Sequence, residues 1–127
     1  MPTRRFSLAP RLRVKLDSAI AFGPGKAELI GLIASKGSIR AAAAEMEMSY
    51  NRAWTLVGEM NRLFKKPLVA SARGGGDGGG ARLTPTGVRV LGLYTKMERD
   101  CLRVAQTDWK TLRGLLRQKR RTGARRG

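Results

Sequence analysis

The sequence predicts a mainly α-helical domain with one small β-hairpin and a long C-terminal helix. Three observations carry this expectation. Apolar residues recur at helical spacing in several separate runs. Two serines stand where they can cap the start of a helix. A glycine-rich loop sits between two short apolar segments.

The first element is a half-buried strand. Residues 11–17, Arg-Leu-Arg-Val-Lys-Leu-Asp, alternate polar and apolar with period two. Phe22-Gly23-Pro24-Gly25 reads as a turn. From Lys26 the period becomes helical, with Leu29, Ile30, Leu32 and Ile33 on one stripe that ends at Lys36-Gly37. Ser38 caps a second, alanine-rich helix running from Ile39 to about Glu45. After Met46-Glu47-Met48, Ser49 caps a third helix whose apolar stripe is Ala53, Val57, Met60 and Phe64. Lys65-Lys66-Pro67 ends it. Leu68-Val69-Ala70 and Ala81-Arg82-Leu83 then flank Arg73 and the glycine run to Gly80, giving strand, loop and strand. Thr84-Pro85 opens the long helix, since proline suits the first helical position. Its stripe of Val90, Tyr94, Met97, Cys101, Ala105, Trp109, Leu112 and Leu116 predicts one helix to about residue 116. Residues 117–127 are nearly all polar or basic and are expected to be disordered. The expected organisation is a basic arm over 1–10, the domain over 11–116 and a basic tail over 117–127.

Helix, helix, helix, hairpin, long helix is the order of a winged helix-turn-helix, in which the third helix enters the major groove of DNA. The charge agrees with that order. The formal net charge of the 127 residues is +17, with +3 in residues 1–11, +6 in residues 117–127 and +8 between them. Basic excess therefore belongs to the body as well as to the ends, and nucleic-acid phosphates are the usual counterpart of such a surplus.

Within the third helix the apolar stripe must face the core, which leaves Ser49, Tyr50, Asn51, Arg52 and Thr55 for DNA. Asn51 can pair with an adenine edge, and Arg52 with guanine or a phosphate; Ser49, Tyr50 and Thr55 can bond phosphates. This face has no acidic residue before Glu59. Ser38 at the start of the second helix and Arg73 and Arg82 at the base of the glycine loop complete the expected DNA-contacting set. Trp54 borders the core stripe and is read as a packing residue. The glycine loop is a wing tip without side chains to hold it off the DNA backbone, although Asp77 at its tip opposes phosphate.

Several other classes are disfavoured. Gly74-x-Gly76-x-x-Gly79 matches a dinucleotide fingerprint in spacing only, because a short strand follows it where a helix is required. Gly25-Lys26 lacks the rest of a phosphate-binding loop. Histidine is absent, the nine carboxylates form no acid–base pair, and Cys101 lies on the apolar stripe, so neither catalysis nor a cofactor is expected. The early Arg4-Arg5 pair is followed by Pro10, Arg11, Arg13 and Lys15 where an export signal needs an apolar run. With one cysteine and no apolar run of spanning length, a cytoplasmic, nucleoid-associated protein without a membrane partner is expected.

Gly37-Ser38-Ile39, Ser49-Tyr50-x-x-Ala53-Trp54, Glu59-Met60-Asn61, Leu68-Val69, the glycine run with Ala81, and Leu83-Thr84-x-x-Gly87 form a specific combination. It resembles the N-terminal domain of ModE, the family of molybdate-responsive transcriptional regulators, and more loosely the LysR-type winged helix. The resemblance implies a homodimer on an inverted-repeat operator of double-stranded DNA, with Ser49–Thr55 opening the recognition helix. It further implies that the long helix pairs the subunits through Val90, Tyr94, Met97, Cys101, Ala105 and Trp109. Two departures matter. The family's Lys and Ser after the Ser-Tyr pair are Asn51 and Arg52 here, which points to a different operator. The family's molybdate-binding C-terminal domains have no counterpart in the residues after 116, so direct binding of molybdate is not expected of them. The leading expectation is a sequence-specific regulator, with molybdenum-related genes as its implied targets. Alternatives are an architectural DNA-binding protein without base readout and a winged-helix module that binds another protein.

Overall fold

A computed structural model describes residues 5–72 and 80–117. Strands β1 (Val14–Leu16) and β2 (Ala19–Phe22) form an antiparallel hairpin, followed by α1 (Pro24–Lys36), α2 (Ile39–Glu45) and α3 (Tyr50–Leu63). Strands β3 (Val69–Ala72) and β4 (Gly80–Leu83) form a second antiparallel hairpin, and α4 (Pro85–Val104) and α5 (Gln106–Leu115) complete the chain. This is the expected mainly helical, winged-helix order. Residues 11–96 form one compact unit and residues from Met97 onward belong to another, the boundary falling within α4.

The caps explain why the helices start and stop where they do. Ser38 Oγ accepts the Ala41 N–H at 2.9 Å, and Ser49 Oγ accepts the Arg52 N–H at 3.0 Å. Each satisfies a donor that the first helical turn cannot. Gly37 ends α1 with φ +79° and donates its N–H to Ile33 O at 2.8 Å. The turn between α2 and α3 also uses a left-handed residue, here without a glycine and with a different bond pattern. Glu47 takes φ +56°, while its N–H and that of Met48 bond Ala44 O and Ala43 O at 3.1 and 3.0 Å.

Phe22, Leu29, Ile30, Ile33, Met60 and Leu68 are the largest fully buried side chains. Phe22 lies edge-on to Phe64 and Tyr94, with ring centroids 5.8 and 5.2 Å away. Ala42, Ala43 and Ala53 are buried where α1, α2 and α3 meet, so small side chains permit the close approach of the helices.

The wing is anchored at both strands. Ala81 N–H bonds Gly37 O at 2.8 Å, tying β4 to the turn between α1 and α2. Asn61 on α3 binds the start of β3 three times: Oδ1 accepts from Leu68 N (2.8 Å) and Val69 N (3.1 Å), and Nδ2 donates to Val69 O (3.0 Å). Thr84 N–H donates to Leu68 O at 2.9 Å, its hydroxyl donates to Pro67 O at 2.7 Å, and Thr84 Oγ1 accepts the Gly87 N–H at 2.9 Å. Gly87 sits against the first of these bonds, for a Cβ there would overlap the Leu68 carbonyl oxygen.

The structure departs from several expectations. Phe22 closes a strand instead of entering a turn, and α1 begins at Pro24, two residues before Lys26. The missed strand β2 follows a two-residue turn in which Asp17 takes φ +55°, a conformation aspartate tolerates better than most residues. The long helix is interrupted at Ala105, where no proline or glycine marks the break. Tyr94, expected at the subunit interface, is 5% exposed and packs in the core of its own domain, with Val90 half-buried beside that core. The glycine run, including Arg73, and the tail from residue 118 lie outside the described residues.

Candidate nucleic-acid interface

Helix α3 presents three rows of outward side chains, set by the four-residue spacing of a helix face. Asn51 and Thr55 are both exposed and share the front row. Tyr50 and Trp54 line a groove of about 240 Å³ between α3 and the wing, together with Arg40, Ser71 and Gly80. Arg52 and Leu56 line a cleft of about 420 Å³ on the other flank. The core row of Ala53, Val57 and Met60 is buried behind them. Every expected α3 residue thus lies on the outer surface of one helix: Ser49, Asn51, Arg52 and Thr55 exposed, Tyr50 half-buried.

Ser49 and Ser38 use their oxygens as caps, yet each keeps a hydroxyl proton to donate to an acceptor such as a phosphate. Arg82 is exposed on β4, where its Nη1 donates to Ser71 O at 3.1 Å. That bond holds its guanidinium along the wing strand.

Two residues of this surface are missed by the sequence reading. Arg40 on α2 lies with its guanidinium 4.4 Å from the Tyr50 ring centroid. A cation over an aromatic face is held in place while its edge donors stay open. Its signal was a basic residue in the first turn of the shorter helix, two positions after the Ser38 cap. Trp54 is 60% exposed and lines the wing groove, so it does not belong to the core. Core assignment failed because its neighbour Ala53 fills the buried row and the indole falls one step beyond it.

Two acidic groups near this surface each face a lysine, Glu59 being the next member of the Asn51 and Thr55 row. Glu59 lies 3.7 Å from Lys26 Nζ, and Glu45 lies 3.6 Å from Lys36 Nζ. The first turns of α2 and α3 contain no acidic residue, and the positive helix ends favour an anion there. Among the described residues no group of three or more His, Cys, Asp or Glu side chains could hold a metal ion. No described helix is long and apolar enough to cross a membrane.

The residues expected to pair subunits are divided. Tyr94 is buried in the domain interior and Val90 half-buried against it, whereas Met97 (48% exposed) and Cys101 are exposed. Cys101 therefore packs against nothing in its own domain. Ala105 stands at the helix break and Trp109 is half-buried on α5.

Several curated proteins are similar to this chain. The "DNA-binding transcriptional dual regulator ModE" of Escherichia coli is 41% identical over 83 residues, 65% of this chain and 32% of that protein. The ModE regulator of Haemophilus influenzae is 38% identical over 88 residues, 69% of this chain and 34% of that protein. This chain resembles the N-terminal region of the ModE regulators. The "Molybdenum-pterin-binding protein MopB" of Rhodobacter capsulatus shares the same likeness, at 39% identity over 90 residues, 71% of this chain and 33% of that protein. The ModE-like chain spans about a third of the length of these relatives. No protein-family profile matches it.

Proposed function

We propose that the protein is a sequence-specific, DNA-binding transcriptional regulator, acting as a homodimer on an inverted-repeat operator. The observation that carries this reading is the outer face of the first turns of α3, free of acidic residues before Glu59, where Asn51, Arg52 and Thr55 are exposed beside the wing groove. Asparagine and arginine carry paired donors and acceptors that match adenine and guanine edges in the major groove. Arg40, Ser38, Ser49, Tyr50 and Arg82 contact the phosphates that bound that groove. Subunits pair through the exposed apolar residues of α4, Leu93 and Met97 among them. The likeness to the "Molybdenum transport protein ModE" of Azotobacter vinelandii, 35% identical over 88 residues, supports control of molybdenum-related genes. An operator that differs from the family's would follow from Asn51 and Arg52.

Selection of genomic fragments by the purified protein, with and without molybdate, tests this reading. A recurrent inverted repeat bound at least 10³-fold better than random duplex is expected. Arg52→Ala should reduce that ratio by one to two orders of magnitude, since a good base contact is worth about 1–3 kcal/mol. Enrichment of no common sequence would favour architectural binding, and equal loss on operator and random DNA would make Arg52 a phosphate contact only.

A further inference from the structure

The cleft on the flank of α3 away from the wing enters the reading above only through Arg52. It is lined by Arg11, Arg13 and Arg52 over an apolar floor that includes Met48 and Leu56, and no acidic side chain lines it. All three arginines are exposed. None of the described hydrogen bonds or ion pairs engages their guanidinium groups. Lys26 also borders the cleft, but its Nζ is committed to Ile20 O and Ala21 O at 3.0 and 3.2 Å and lies near Glu59. It is a structural cation, and the arginines are not.

The segment bearing Arg11 and Arg13 is held from behind. Leu12 packs against the core, and its carbonyl oxygen accepts the hydroxyl of buried Tyr94 at 2.7 Å. Alternation along an extended chain sends the side chains on either side of Leu12 outward. Arg11 and Arg13 therefore reach the same cleft as Arg52 from a backbone that the core positions. Convergent, uncompensated guanidinium groups along one flank of a groove-reading helix match a polyanionic strand in charge and in direction.

We propose that this cleft holds a sugar-phosphate strand of the same DNA whose major groove α3 reads, with Arg11 and Arg13 neutralising its phosphates opposite the wing. This rests on the DNA-binding reading of α3 and adds a second clamp to it. The contacts carry no base information, so they set affinity and register rather than sequence preference.

The test measures duplex binding by the full chain across a range of KCl concentrations, on a selected site and on random DNA. Arg11→Gln with Arg13→Gln removes four contacts per bound dimer, and is expected to make the log–log salt slope shallower by about 3–4 and to weaken binding about 100- to 1,000-fold near 0.1 M salt. The preference for the selected site should not change. Lys65→Gln with Lys66→Gln removes the same charge outside both clefts and should leave the slope within half a unit. Tyr94→Phe keeps the ring but releases Leu12 O, and should weaken both DNAs several-fold. Single Arg11→Gln, with a shift of about 2 in slope for the dimer, serves if the double variant melts early. An unchanged slope in a wild-type background that binds DNA overturns the clamp alone. So does an equal effect from the lysine pair, or a changed site preference. Wild-type protein without affinity for any duplex overturns the clamp and the DNA-binding reading together.

Discussion

Gly87 and Gly92 lie on the same helix, and alanine at the two positions should move stability in opposite directions. At Gly92 a Cβ would meet nothing within 4 Å. There alanine gains the helix preference that glycine lacks, about 0.5–1 kcal/mol. At Gly87 a Cβ would overlap the Leu68 carbonyl oxygen and lie 3.0 Å from the Leu68 carbonyl carbon. Both partners are backbone, so neither can rotate aside as a side chain would. Overpacking of this kind costs about 1–3 kcal/mol. Displacing Leu68 O also weakens its bond from Thr84 N–H, for about 1 kcal/mol more. After subtracting alanine's helix gain, Gly87→Ala should lose about 1–3 kcal/mol in all. For a domain of this size each kcal/mol moves the midpoint by about 4–8 °C, so Gly87→Ala should fall by about 4–20 °C while Gly92→Ala rises by about 2–8 °C. Urea titration followed by circular dichroism gives both values on one scale. The same variant should lose DNA affinity, because Leu68 begins the wing. If Gly87→Ala is as stable as wild type, the close approach of α4 to β3 is wrong, and with it the explanation of the Thr84-x-x-Gly87 pattern.

Other outcomes follow from single contacts. Asn61→Ala strands the Leu68 and Val69 N–H groups and the Val69 carbonyl, and should cost about 2–3 kcal/mol in urea unfolding with weaker DNA binding. A loss under 0.5 kcal/mol would mean that the wing does not depend on this clamp. Glu47→Gly relieves a left-handed residue and should stabilise by about 1 kcal/mol, read as a higher thermal midpoint, with the operator unchanged. Ser49→Ala removes the α3 cap and should cost about 1 kcal/mol, with a larger loss of operator affinity than of stability if the hydroxyl also meets phosphate. Met97→Glu with Cys101→Glu should give monomers in sedimentation without loss of helix signal; persistent dimers would move the interface off this part of α4.

Helix order, both serine caps, the Gly37 stop and the buried row of α3 were legible in the sequence. Each rests on chemistry within a few residues: a hydroxyl three positions before a free N–H, a glycine free to take positive φ, a spacing that matches the helical repeat. The second strand was not, because Ala19–Phe22 carries no alternation until it is paired with β1, and its turn uses Asp17 instead of glycine. Several residues waited for tertiary contacts. Tyr94 falls on the same helical stripe as Met97, and only the position of Phe22 and Leu12 decides that one is core and the other surface. Arg40, Arg11 and Arg13 are unremarkable among many basic residues until α2 and the N-terminal segment bring them alongside α3. By itself the sequence determined where the recognition helix starts and which face it turns outward, since capping and periodicity are local. Only the tertiary structure decided what flanks that face, because a flank is made of residues far apart in the chain.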